Sequence, residues 1–194
     1  MSAAMPDHEK GASETDEDLW VFGYGSLMWR PGFCYLERHP ALLRGYHRSF
    51  CVYSWHHRGT PDRPGLVFGI DRGGACRGIA YRVAAADAPD VRRYLYEREQ
   101  VTMVYRDIAV PVRLLGAGDR RVTALTFAVD RSHDQYAGRL SFDEQVARIC
   151  EGEGQSGDNP DYLFSMVAHL EEMGISDHHL EALAHAVKIA QAAN

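Results

Sequence analysis

The sequence predicts an α+β fold built on a mainly antiparallel sheet or a small β-barrel, with helices beside it. Three observations carry that expectation. Apolar runs of strand length crowd the stretch from Leu19 to Val129. Turn residues join several of them directly, which favours hairpins. Helical patterns gather mostly after the strands, a segregation unlike the strict alternation of a doubly wound parallel sheet.

Leu19 to Tyr24 (LWVFGY) opens the fold as an apolar, aromatic strand. Tyr46 to Tyr53 alternates loosely and reads as a second strand. Leu66 to Ile70 and Gly78 to Val83 flank the turn-rich Asp71-Arg72-Gly73-Gly74 and read as a hairpin. Asp87 is a candidate helix cap, with Pro89 in the first turn and Asp90 three residues on; that helix runs to the neighbourhood of Arg98. Tyr105 to Val112 and Arg121 to Val129 pair around a turn from Gly116 to Asp119. Ser141 to Glu144 forms a capping box, and Gly152 stops the helix it starts. Asn159-Pro160 starts another helix that ends near Gly174. Ser176 caps the last one, with Leu180, Leu183, Ala184 and Val187 on one face.

A chain of 194 residues with 45% apolar and 25% charged residues fits one soluble domain. No run approaches the ~18 apolar residues of a membrane span, and no basic n-region precedes an apolar stretch at the N-terminus; the expected location is the cytoplasm. Of the net charge of −6, residues 1–18 hold −5, in six acids and Lys10. Residues 1–18 are therefore expected to be a disordered acidic tail, and 19–194 the folded domain. The near-neutral body has no electrostatic footprint for nucleic acid. Only Lys10 and Lys188 stand against nineteen arginines, and no Gly-Lys-Ser/Thr phosphate loop occurs. Cys34, Cys51, Cys76 and Cys150 lack metal spacing and sit in apolar neighbourhoods, so buried, reduced thiols are expected.

The first strand runs into Gly23-Tyr24-Gly25-Ser26-Leu27-Met28-Trp29. Met28 stands where a dinucleotide fold needs its third glycine, and Pro31-Gly32 interrupts the helix that should follow. Ser26 is followed by Leu-Met, so the serine-hydrolase elbow fails as well. What remains is a glycine-containing turn whose successive N–H groups either cradle an anion such as a substrate carboxylate or serve a tight turn alone. Farther on, Val91 and Leu95 are four apart on one helix face, and Glu99 continues their line. Glu97 falls on the other side. An inward carboxyl is costly unless paired or used, and burial raises its pKa toward the range of a general base. An ion pair with Arg98 or Arg106, or a helix that ends before Glu99, are the structural alternatives.

These residues together resemble the ChaC family of γ-glutamylcyclotransferases. The resemblance rests on five blocks in order: Val21 to Phe33, His57 to Val67, Gly78 to Val83, Tyr94 to Glu99, and Gly154 to Leu163. It implies a small, mainly antiparallel β-barrel flanked by helices, and a cofactor-free, metal-free activity that degrades glutathione to 5-oxoproline and Cys-Gly. It implies Glu99 as the catalytic acid and base, the Tyr24, Gly25, Ser26 and Leu27 turn as the holder of the substrate's α-carboxylate, and Tyr162 as a hydrogen-bonding partner. Arg58 and His57 line the site, bind the glycine carboxylate of glutathione, or only shape a loop. The partner expected is a small peptide substrate, with no nucleic acid or membrane; oligomeric state stays open. Two other readings stand beside it: cyclisation or hydrolysis of other γ-glutamyl amides, and a non-enzymatic regulator of cation transport.

Overall fold

The computed structural model describes residues 17–99, 103–116, 118 and 120–193. Five strands close a barrel: β1 (Leu19–Gly23), β2 (Glu37–Ser54), β3 (Gly65–Val83), β4 (Tyr105–Leu114) and β5 (Arg121–Val129), in the order β1-β3-β2-β4-β5. Every pairing is antiparallel except the closure, where Val21 meets Leu125 in parallel. The helices are α1 (Ala88–Glu99), α2 (Phe142–Glu151), α3 (Asn159–Glu172) and α4 (His178–Ala192), with a two-residue ribbon, β6 (Glu153–Gly154) and β7 (Gly157–Asp158), between α2 and α3. No helix among the described residues is long and apolar enough to cross a membrane.

β1 is apolar throughout because both its faces are covered. Trp20 and Phe22 join Leu43, Ile70, Val112 and Ala124 from the other four strands inside the barrel. Leu19 and Val21 face outward, where Val91 and Leu95 of α1 pack on them. A second core lies between the barrel and α2–α4, with Leu163, Met166 and Leu183 against Phe50, Leu66 and Tyr81. The barrel end beside β1 is thus flanked by α1 and by α3, the helices that bear Glu99 and Tyr162.

The expected capping box is present: the Ser141 hydroxyl accepts from the Glu144 N–H, and Glu144 reaches back to the Ser141 N–H at 2.7 Å. Four expectations need correction. Residues 66–83 do not form a hairpin but one long strand, β3, paired with β2 along its whole length. Gly73 and Gly74 take φ of 108° and 66°, and Gly45 opposite them takes 87°. The glycines therefore bend two strands together beside a register shift between Arg44 and Tyr46, instead of reversing one. β2 likewise starts at Glu37 and not at 46, since β3 offers partners as far as Arg82. Asp177, not Ser176, caps α4 by accepting from the Leu180 N–H, while the Ser176 hydroxyl donates to Glu181 at 2.8 Å. Among the thiols, Cys51 and Cys76 are buried, but Cys34 is exposed and Cys150 half-buried, since Cys34 lies in the connection before β2.

Asp87 lies in a 3-10 turn (Ala85–Asp87) ahead of α1. The acidic stretch expected to be disordered lies outside the described residues up to position 16, as does Asp119 of the β4–β5 turn. Asp18, the last of that stretch, pairs with Arg82 at 2.8 Å and accepts the Ala85 N–H at 3.0 Å.

Candidate active site

The site forms where β1 runs out. Tyr24 is buried, and its carbonyl accepts from the Nε of buried Arg48 at 2.6 Å. Gly25 leads into a 3-10 turn (Ser26–Met28), closed by the Met28 N–H on the Gly25 carbonyl at 2.9 Å. The Tyr81 hydroxyl reaches the Leu27 and Met28 carbonyls at 3.1 and 2.7 Å. Arg48 and Tyr81, from β2 and β3, thus anchor the turn through its carbonyls. The first N–H groups of a 3-10 turn have no acceptor within it, so those of Ser26 and Leu27 have none inside this turn.

α1 supplies the carboxyl group. Val91 and Leu95 are 5% and 0% exposed, and Glu99 extends their line, while Glu97 faces solvent. The Glu99 side chain is 20% exposed. It borders a cavity of about 100 Å³ also lined by Tyr24, Gly25, Ser26, Leu27, Tyr105 and Tyr162. Burial raises its pKa above the ordinary carboxylate value, and the Arg98 guanidinium, 3.3 Å away, pulls it partly back. The ion pair considered among the structural alternatives therefore exists, but within the cavity and with Arg98; Arg106 pairs instead with Asp130.

Three phenols face the carboxyl group. Burial, reinforced by the charge of Glu99, holds Tyr24 and Tyr105 well above the usual phenol value and pushes Tyr162 up to about 12. All three stay protonated at neutral pH and can donate hydrogen bonds. The Tyr105 hydroxyl donates to the Phe68 carbonyl.

A wider cavity of about 350 Å³ shares Ser26, Glu99, Tyr105 and Tyr162 with the first, and adds His57 and Arg58. Arg58 lies over the Tyr162 ring, 5.2 Å from its centroid, and donates to the Asp158 carbonyl at 3.1 Å. The loop that carries it docks on the β6–β7 ribbon: the Gln155 and Ser156 N–H groups donate to the His56 and His57 carbonyls at 2.8 and 3.0 Å. Gly154 permits this approach, because a Cβ there would stand 2.6 Å from the His56 carbonyl oxygen. His57 Nδ1 lies 3.0 Å from the Ser156 hydroxyl.

The structure thus gathers Glu99, Tyr24, Gly25, Ser26, Leu27 and Tyr162 around one cavity and Arg58 around the adjoining one. Sequence reasoning missed Tyr105, which is indistinguishable from any aromatic at the start of a strand. It also missed Arg48 and Asn159 as supports, and it gave Arg98 only as an ion-pair partner of Glu99, not as a link to the turn. Arg48 and Asn159 act on partners 24 and 93 residues away, so neither had a local signal.

The family described as ChaC-like protein matches residues 19–190. The chain is 33% identical over 170 residues to the glutathione-specific γ-glutamylcyclotransferase of Escherichia coli (strain K12), covering 88% of this chain and 73% of that protein. It is also 33% identical to glutathione-specific γ-glutamylcyclotransferase 1 of Mus musculus, covering 96% of this chain and 84% of the mouse protein. Among solved structures, a γ-glutamyl cyclotransferase specific to glutathione from yeast superposes with a TM-score of 0.77 at 27% identity, covering 88% of this chain and 96% of the yeast chain.

Proposed function

The chain belongs to the ChaC-like protein family, and from that premise we propose that it cyclises the γ-glutamyl group of glutathione, releasing 5-oxoproline and Cys-Gly, with Glu99 as general base and then general acid. The observation that carries this reading is a largely buried carboxyl group sharing a cavity of about 100 Å³ with the turn from Tyr24 to Leu27.

The substrate brings its own nucleophile, so the protein must position and move protons. The α-amino nitrogen of the γ-glutamyl group attacks its own δ-carbonyl carbon, forming the five-membered ring. Glu99 takes a proton from that nitrogen. The bond from the δ-carbon to the cysteine nitrogen then breaks, and Glu99 returns the proton to the departing amine. Holding the chain folded contributes as much as the proton transfers, since it turns the closure into a near-attack arrangement. In this reading the Ser26 and Leu27 N–H groups hold the α-carboxylate, and the neutral Tyr162 phenol donates to the substrate. Arg58, on the outer cavity, meets the glycine carboxylate. No step calls for a metal or cofactor.

The direct test is incubation of the purified protein with glutathione beside γ-glutamyl-alanine. The expected result is 5-oxoproline and Cys-Gly from glutathione. Free glutamate would mean hydrolysis, and no product from either peptide would support a non-enzymatic protein. A second test probes the turn. A Cβ on Gly25 would meet the Met166 methyl at an ordinary 3.7 Å, so packing around the turn leaves room for it. Gly25 lines the cavity, so the added methyl group of Gly25→Ala should keep the melting temperature but crowd the α-carboxylate away from the Ser26 and Leu27 N–H groups and raise KM about tenfold, the worth of one charge-assisted hydrogen bond. An unchanged KM would remove the carboxylate from the turn.

A further inference from the structure

Arg98 sits one residue before Glu99 at the end of α1, and its guanidinium has four partners among the described residues. Nε lies 3.3 Å from Glu99 Oε1. Nη2 donates to the Ser26 hydroxyl at 2.8 Å. Nη1 donates to the Arg30 carbonyl at 2.9 Å and to the Tyr94 hydroxyl at 2.8 Å. One planar group therefore joins the end of the helix, the carboxyl group, the turn and the segment just past the turn. The side chain is 24% exposed: its bonds to Ser26 and Arg30 face solvent at the rim of the wider cavity, and its bond to Tyr94 is part-buried.

From this arrangement we propose that Arg98 is a positioning residue, whose fork fixes the Glu99 carboxyl relative to the turn that receives the substrate. The turn and α1 come from distant parts of the chain, Ser26 and Arg98 being 72 residues apart. Arg48 and Tyr81 hold the turn to the barrel, but neither reaches Glu99. Arg98 touches both halves. A planar guanidinium can serve all its partners at once, whereas an ammonium on a lysine stem cannot.

The same contact has an electrostatic consequence. The titratable groups facing Glu99 are Tyr24 from the end of β1, Tyr105 from β4, Tyr162 from α3 and Arg98 from α1 itself. The phenols are neutral, and Arg98 is the cation that favours the carboxylate. Arg58 and His57 line the outer cavity, with Arg58 stacked over Tyr162. Without Arg98, burial alone would act on Glu99, and its protonated form would persist to higher pH.

This inference rests on Glu99 being the base, and the test separates the two. Arg98→Gln, Arg98→Lys and Glu99→Gln are assayed for 5-oxoproline release from glutathione across pH. Arg98→Gln should lower kcat/KM roughly 10- to 100-fold, the effect of losing bonds between charged partners, and should move the acid limb to higher pH. Arg98→Lys should restore the limb toward the wild-type position, since the charge returns, but keep KM raised, since the fork does not. An Arg98→Gln enzyme with wild-type KM and acid limb, whatever its melting temperature, would overturn the proposal. If Arg98→Gln does not fold, Arg98→Lys with a wild-type KM overturns it instead. A Glu99→Gln enzyme of wild-type rate would sink the underlying reading of the base. An inactive Glu99→Gln beside an unperturbed Arg98→Gln would sink this inference alone.

Discussion

Glu99→Gln should lose turnover by roughly 10²- to 10⁴-fold, the contribution of a positioned acid–base group, while the protein stays folded. Glutamine has nearly the shape of glutamate, and its amide oxygen can still accept from Arg98. What it cannot do is take a proton from the substrate amine and return it. Burial disfavours the ionised Glu99 more than Arg98 favours it, so its pKa in the folded chain lies above the ordinary 4.5. The sign for stability follows. A carboxyl whose folded pKa is raised costs stability as pH climbs from its unfolded value through its folded one. Above the folded pKa that cost is fully present in the wild type, and it is absent in Glu99→Gln at every pH. The variant should therefore melt no lower than the wild type at neutral pH, and any advantage should vanish below the ordinary carboxylate pKa. For activity, the wild-type acid limb of kcat/KM should lie above 4.5, because only the ionised form is a base. Single-turnover assays with glutathione and thermal melts at two pH values check both. Near-wild-type release of 5-oxoproline by the variant would show that some other group moves the proton.

Asn159→Ala should be the most damaging single change outside the cavity. Asn159 is 0% exposed. Its Oδ1 accepts the Leu66 N–H and its Nδ2 donates to the Leu66 carbonyl, both at 2.7 Å. The side chain thus completes a strand-like pair with the start of β3 from the first turn of α3. Alanine leaves a buried donor and a buried acceptor unpaired, each costing about 1–3 kcal/mol. A loss of about 4 kcal/mol corresponds to a fall in melting temperature of roughly 8–16 °C for a chain of this size. Because α3 also carries Tyr162, KM should rise with the loss of stability. A melting temperature close to the wild type would mean that water takes the place of the amide.

The parts legible in the sequence were those governed by a few neighbouring residues. Helical periodicity put Glu99 in line with Leu95 and Val91 and Glu97 away from it, and the structure follows that face. The box at Ser141 depends on a three-residue spacing and forms as read. The opening strand declared itself through an unbroken apolar run, and the β4–β5 pair through two strand-length stretches rich in apolar residues around a glycine-containing turn. The Gly73-Gly74 pair shows where such reasoning stops. Its turn chemistry is real, but pairing with β2 on the opposite strand converted a reversal into a bend.

The amino-acid order alone determined the helix face that holds the carboxyl group, the apolar character of the first strand and the glycine-containing turn after it. All three follow from backbone geometry within one or two helical turns or one strand. Tertiary structure alone decided that this carboxyl group meets that turn, that Arg98 spans 72 residues to join them, and that Asn159 finds Leu66 across 93. Contacts of that reach exist only once the barrel has closed, and hydrogen bonding between distant groups leaves no periodic trace in the chain.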